Sequence, residues 1–171
     1  MSEIKVASHD GQFRLSVDAH HVERILEFCV AAGPDETGGV LIGRYNARHN
    51  TAFVTDVPPP PADSVRGRTW FERGTHGLQR IMERAWRLRR EYYIGDWHFH
   101  PFAAPMPSQD DYDQMLRIAS SPTWKCPEPI LLIIGGTPRG LWRPYGLVTT
   151  RTGKQIPLRP AVAVDSIPIQ G

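Results

Sequence analysis

The sequence predicts an α+β fold, or a mixed α/β sandwich, in which helices flank a β-sheet. Short segments with alternating or continuous apolar residues, typical of strands, lie between longer segments with helical apolar spacing. The two kinds of segment alternate without a regular strand–helix–strand period, which argues against a doubly wound sheet. A length of 171 residues fits a single domain with its own core.

Composition excludes several classes of protein. Hydrophobic residues make up 40% and charged residues 22% of the chain, as in ordinary globular domains. No apolar run is long enough for a membrane helix and no signal region is visible, so we expect a cytoplasmic protein without a membrane partner. A net charge of +2 gives no support for nucleic acid as a partner. Cys29 and Cys126 form no CxxC pair, which excludes a disulfide scaffold.

The first half predicts three strands and one helix. Residues 13–17 alternate as a half-buried strand does. Asp18 can cap the following helix, and the Gly-Pro pair at 33–34 ends it. Residues 40–42 and 52–54 are predicted to form a pair of strands.

A proline-rich segment predicts a long loop. Four prolines at 58–61 end the preceding strand, and we expect the loop to continue to about residue 74. It carries Trp70 and Phe71, which are costly to leave loose in water. These two aromatic residues are therefore candidates for substrate binding.

The second half predicts two helices and three strands. The first helix is amphipathic, and its Met82 and Trp86 are expected in the core. After the last strand the chain is polar and contains several prolines, so it either adds a strand near Ile156 or stays loose. In order, the helices and strands are expected at residues 76–91, 92–99, from Ser108 onward, 130–134 and 141–148.

Two histidines carry the strongest chemical signal. His98 and His100 lie two residues apart on a predicted strand, so both side chains leave the same face. Their Cα atoms would lie roughly 6.6 Å apart, which allows both imidazoles to bind one metal ion. Trp97 and Phe99 should anchor the opposite face in the core. Asp96, beside His98, is placed on that opposite face too, and is no more than a candidate for a group that supports the ligands.

A serine and an aspartate follow the histidine pair. If Ser108 caps the next helix, Asp111 lies in its first turn and can point back towards the strand end. Two His and one Asp leave one position of a tetrahedral zinc ion open for water, as in catalytic sites. Each part has an ordinary structural alternative, namely strand histidines and a capping box, but the combination is far more specific.

Glu36 is the candidate general base for such a site. It comes immediately before a hydrophobic strand that begins with two glycines, which permit a close backbone approach. Spacing alone leaves open that Glu36 is a surface acid.

The pattern resembles the JAMM (MPN-plus) metalloprotease family, in particular its bacterial single-domain members. That family has a Glu ahead of an apolar strand, then HxH, seven residues, Ser, two residues and Asp, as at Glu36, His98, His100, Ser108 and Asp111. The resemblance implies a curved mixed sheet flanked by helices over residues 1–150, with residues 151–171 as an extension. It also implies one Zn²⁺ held by the two histidines and the aspartate, water activation by the glutamate, and an oxyanion contact from the serine.

By this resemblance the chain is expected to be a zinc isopeptidase or peptidase that cleaves after the C-terminal glycine of a ubiquitin-like protein. E1/E2-like enzymes are then expected partners, including those of bacterial antiphage systems. Three alternatives stay open: processing of a sulfur-carrier protein, a RadC-like domain acting near DNA, and an inert MPN interaction module. The RadC-like alternative is weakened because the first 16 residues leave no room for a helix-hairpin-helix region.

Overall fold

The computed structural model describes residues 3–160 of the chain, with three helices and ten strands in that part. Their bounds in chain order are β1 Ile4–Ala7, β2 Arg14–Val17, α1 Ala19–Ala32, β3 Thr37–Tyr45, β4 Thr51–Asp56, β5 Val65–Gly67, β6 Trp70–Glu72, α2 Leu78–Arg89, β7 Tyr92–Pro101, α3 Gln109–Ser120, β8 Ile130–Gly136, β9 Trp142–Thr149 and β10 Gln155–Pro160.

Eight of the strands form one mixed sheet that closes on itself as a barrel, in the order β1-β10-β9-β8-β7-β3-β4-β2. The pairs β2–β4 and β7–β8 are parallel and the others are antiparallel. The predicted curved mixed sheet flanked by helices is thus confirmed, and its curvature continues to closure. The remaining strands, β5 and β6, form a separate antiparallel hairpin.

Alternation along the central strands divides the core into two clusters. Leu41, Trp97 and Phe99 pack with residues of α1. Val40 and Ile42, on the opposite face of β3, belong to the cluster that contains residues of α2 and α3. The face of β7 that turns away from Trp97 and Phe99 therefore turns towards α3, which positions the candidate site.

Three details differ from the sequence-based expectations. Trp86 was expected in the core but is 50% exposed, because it lies on the outer side of α2 and stacks with Arg90. The segment expected to be a plain loop contains the β5–β6 hairpin, in which the β-forming residue Val65 pairs with Glu72 and Trp70 pairs with Gly67 next to the turn. Strand β1 was not predicted, although Ile4 and Val6 alternate as a strand should.

The chain beyond residue 150 takes part in the barrel. Of the two alternatives for the tail, a strand near Ile156 is the one found, since β10 pairs with both β9 and β1. The rest of the predicted extension, residues 161–171, lies outside the described residues. No helix between residues 3 and 160 has both the length and the apolar character needed to cross a membrane.

Candidate metal and active site

Strand β7 presents two buried imidazoles on one face. His98 and His100 are both buried, and the alternating residues Trp97 and Phe99 are fully buried in the core on the other face. The predicted orientation of these four side chains is therefore confirmed. It follows from the two-residue repeat of a strand whose opposite face is anchored by two large aromatic residues.

Helix α3 brings a carboxylate to the same place. Ser108 is the N-cap: its hydroxyl accepts a hydrogen bond from the Asp111 amide, and the Asp111 carboxylate accepts one from the Ser108 amide, which completes a capping box. The Ser108 hydroxyl also donates to Asp111 Oδ2 at 2.9 Å. Asp111 Oδ1 lies 2.6 Å from His98 Nδ1, and Oδ2 lies 3.8 Å from His100 Nε2. The cap thus aims the carboxylate at both histidines.

These three side chains could hold a metal ion. One ligand atom from each of His98, His100 and Asp111 lies within 4.8 Å of the others. Among residues 3–160, His98 Nε2 is buried without a hydrogen-bond partner. Buried polar atoms in folded proteins rarely lack a partner. Two imidazoles and one carboxylate suit zinc and leave one coordination position free for water. The donor set therefore fits the expected cofactor.

The protonation states also suit metal binding, which requires neutral imidazole and ionised carboxylate. Burial lowers the pKa of His100, and neighbouring His98 adds to this effect while Asp111 opposes it. For Asp111, burial opposes ionisation, but hydrogen bonds from His98 and Ser108 outweigh burial and lower its pKa to about 2. The aspartate is thus ionised at neutral pH, and burial favours neutral His100.

Glu36 lies beside these donors, although it is distant in sequence. It immediately precedes β3, whose Thr37 and Gly38 pair with Phe99 and His98 of β7. Burial raises the pKa of Glu36 to about 7, with the Asp111 charge adding to the effect and His98 opposing it. A carboxyl group that titrates near neutrality can both accept and return a proton.

The β5–β6 hairpin lies against the same site. The Phe71 ring packs edge-on against the His98 imidazole, with 5.4 Å between ring centroids. The Glu36 amide donates to the Gly67 carbonyl at 2.9 Å, which ties the hairpin to the residue before β3. A Cβ atom at position 38 would lie 2.8 Å from both Phe71 and His98 atoms, so glycine is needed there. Trp70, at the hairpin tip, is 50% exposed.

The expected placement of Asp96 was wrong. We expected it on the face opposite His98, but residues two apart on a regular strand share a face, and Asp96 contacts Gln114 of α3 at 2.9 Å. Sequence reasoning also missed Arg73 and Gln114, which both donate to the Asp96 carboxylate. An aspartate within a strand that is otherwise buried was the available signal, since a buried carboxylate needs partners.

A closed mixed barrel with a His-His-Asp donor set defines the class: an α/β domain whose donors could hold a metal ion. Residues 18–145 match the family described as prokaryotic homologs of the JAB domain. The chain belongs to this family, and the resemblance to JAMM proteins is confirmed.

Several curated proteins are similar over most of the chain. A "CD-NTase/cGAS isopeptidase" of Enterobacter hormaechei is 36% identical over 93% of this chain and 88% of its own length. A protein of the same description from Vibrio cholerae is 34% identical over 80% of this chain and 85% of its own length. The "probable metalloprotease y4qB" of Sinorhizobium fredii is 31% identical over 71% of this chain and 74% of its own length.

A solved structure supports the fold independently. The solution structure of protein DSY2949 from Desulfitobacterium hafniense superposes with a TM-score of 0.59, covering 86% of this chain and 89% of that one. Sequence identity is 18%, so the likeness concerns the fold alone.

Proposed function

We propose that the chain is a zinc-dependent isopeptidase that cleaves after the C-terminal glycine of a ubiquitin-like protein. The observation that carries this proposal is the convergence of His98, His100 and Asp111 beside Glu36. One Zn²⁺ is the proposed cofactor, because two His and one Asp with an open position form a typical catalytic zinc set.

The proposed reaction is hydrolysis of an amide bond. A zinc ion held by His98, His100 and Asp111 would polarise the scissile carbonyl and lower the pKa of its bound water. Glu36 takes a proton as the water oxygen bonds to the carbonyl carbon, and returns it to the leaving nitrogen as the C–N bond breaks. Ser108 is proposed to donate a hydrogen bond to the tetrahedral oxyanion. In the structure its hydroxyl instead donates to Asp111, so this role requires the hydroxyl to rotate.

The substrate is proposed to enter as an extended tail with small residues. Phe71 lies against His98 and Trp70 is exposed at the hairpin tip, so the β5–β6 hairpin offers an aromatic surface next to the donors. An extended tail can bind such a strand pair through its backbone while its glycine reaches the metal.

The names of the relatives support a more specific substrate. Proteins that are 36% and 34% identical to this chain are described as CD-NTase/cGAS isopeptidases. We therefore propose that the conjugate cleaved here joins a ubiquitin-like protein to a CD-NTase, in an antiphage system with E1/E2-like enzymes in the cytoplasm.

A cleavage panel tests the proposal. The purified chain is analysed for metal and is then offered a ubiquitin-like protein linked to a CD-NTase lysine, and the same protein with a linear C-terminal extension. We expect one zinc ion per chain and cleavage that stops with phenanthroline and returns with added Zn²⁺. His98→Ala should lose metal and cleavage together. Cleavage of the linear fusion alone would indicate precursor processing, and cleavage that survives loss of the metal would refute the mechanism.

A further inference from the structure

A buried carboxylate that the proposed reaction does not use lies behind the metal ligands. The Asp96 side chain is fully buried, and Arg73, which is 4% exposed, donates to it from Nε at 3.0 Å. Gln114 donates to the same oxygen at 2.9 Å, and the Tyr93 hydroxyl donates to the other oxygen at 3.0 Å. The carboxylate is thus paired and hydrogen-bonded, as a buried charge must be.

The donors to Asp96 come from three separate elements. Arg73 directly follows strand β6 of the hairpin, Tyr93 belongs to β7 as Asp96 itself does, and Gln114 belongs to α3. Arg73 is held further by the Trp124 ring, which lies 5.0 Å from its guanidinium carbon. One carboxylate therefore joins the hairpin, the central strand and the helix.

The same three elements build the candidate site. His98 lies two residues after Asp96 on β7, and Asp111 lies one turn before Gln114 on α3. The contacts His98–Asp111 and Asp96–Gln114 run side by side between β7 and α3. On the hairpin, Phe71 packs on His98 while Arg73 binds Asp96. The contacts of Asp96 therefore determine the positions of α3 and of the hairpin relative to His98.

We propose that Asp96 is a positioning residue: through Gln114 it sets the distance between α3 and β7, and through Arg73 it holds the hairpin against His98. A buried ionic cluster often adds little stability over an apolar one but requires one specific arrangement. The α3 part of the inference rests on the proposed metal site, whereas the hairpin part concerns the metal-free chain as well.

Two single variants separate the two links and leave the carboxylate in place. Arg73→Gln removes the hairpin link, and Gln114→Ala removes the helix link. Gln79→Ala is the matched control, because Gln79 is a helix glutamine whose side chain, within residues 3–160, donates only to the exposed Glu83. All are measured at a temperature where the melting curve shows a folded protein.

The first measurement uses the metal-free chain. Arg73→Gln should speed hydrogen exchange of the hairpin amides at residues 65–72 by about tenfold, since a charged hydrogen bond is lost, and Arg73→Lys should restore part of the protection. Because Phe71 and Asp111 both contact His98, its imidazole NMR shifts should move in both variants. They should stay constant in Gln79→Ala.

The second measurement is the Kd for Zn²⁺, obtained by competition with a chromogenic chelator. Gln114→Ala should weaken binding by about tenfold, as changes behind metal ligands commonly do. A lower Tm with unchanged Kd and unchanged His98 shifts would make Gln114 merely structural and overturn the helix link. Wild-type hairpin exchange in Arg73→Gln would overturn the hairpin link. If the wild-type chain binds no zinc, the proposed function fails, while the exchange and NMR results still decide the positioning role.

Discussion

Replacing Glu36 with glutamine should abolish most turnover and yet stabilise the metal-free chain. The side chain is partly buried, and burial raises its pKa to about 7 from an ordinary value of 4.5. The folded chain therefore binds this proton more tightly than the unfolded chain does. Stability is unaffected by Glu36 below about pH 4.5, falls as the pH rises towards about 7, and stays reduced above that value.

The size of this effect can be bounded. The two pKa values would correspond to about 3 kcal/mol if the carboxyl were isolated from solvent. Because the Glu36 side chain is only partly buried and solvent screens its charge, we expect a gain of ~1–2 kcal/mol for Glu36→Gln at pH 8. For a chain of this length the gain corresponds to a Tm higher by about 3–6 °C. A bound divalent cation favours the carboxylate, so the gain should shrink in the zinc-loaded chain.

Two assays check this prediction. Thermal melts of the metal-free chain at pH 4 and pH 8 should show a Tm difference between variant and wild type only at pH 8. Turnover by the zinc-loaded variant should fall by about 10²–10⁴-fold with the metal retained, which is the usual contribution of a general base. Glu27→Gln, on the exposed side of α1, is the control. Full turnover in Glu36→Gln would refute the base assignment, and equal melts at pH 8 would refute the buried-acid argument.

Further predictions concern the helix cap, the ligands and the thiols. Ser108→Ala should keep zinc, lose about 1 kcal/mol of cap stability and slow turnover by about 10²-fold; an unchanged rate would leave Ser108 only its capping role. Asp111 has a pKa lowered to about 2, so metal-free wild type should lose stability as the pH falls from about 4 to 2. Asp111→Asn should lose zinc binding and lose less stability over this pH range than the wild type does, because Asp10, Asp18 and Asp63, whose pKa values are also lowered, stay in place. Burial raises the pKa of Cys126 to about 12 and also raises that of Cys29, so neither folded thiol should react with Ellman's reagent; rapid reaction would contradict their burial.

The local parts of the site were predictable because they depend on short-range backbone geometry. His98 and His100 share a face because strand side chains alternate. Asp111 points back to the strand because the Ser108 cap orients the first turn of α3. Neither relation needs knowledge of distant segments.

The parts of the site that depend on contacts between segments far apart in sequence were harder to predict. Glu36 was named by resemblance, and its place beside His98 depends on the antiparallel register of β3 and β7. The hairpin at residues 65–72 was predicted only as a loop, because three-residue strands carry little periodic signal. The exposure of Trp86 also followed from packing, since helical spacing alone does not say which side of a helix finds a partner.

The order of residues along the chain was thus sufficient for the mixed fold, the family resemblance and the convergence of two imidazoles and one carboxylate. Folding alone decided that the sheet closes through β10 and that Phe71 covers His98. It likewise brought Arg73 and Gln114 to one buried carboxylate. The physical reason is that strand alternation and helix caps act over a few residues, so their patterns are visible in the sequence. Strand register and buried ion pairs join segments that are far apart in the sequence, and no periodic pattern indicates which segments will meet.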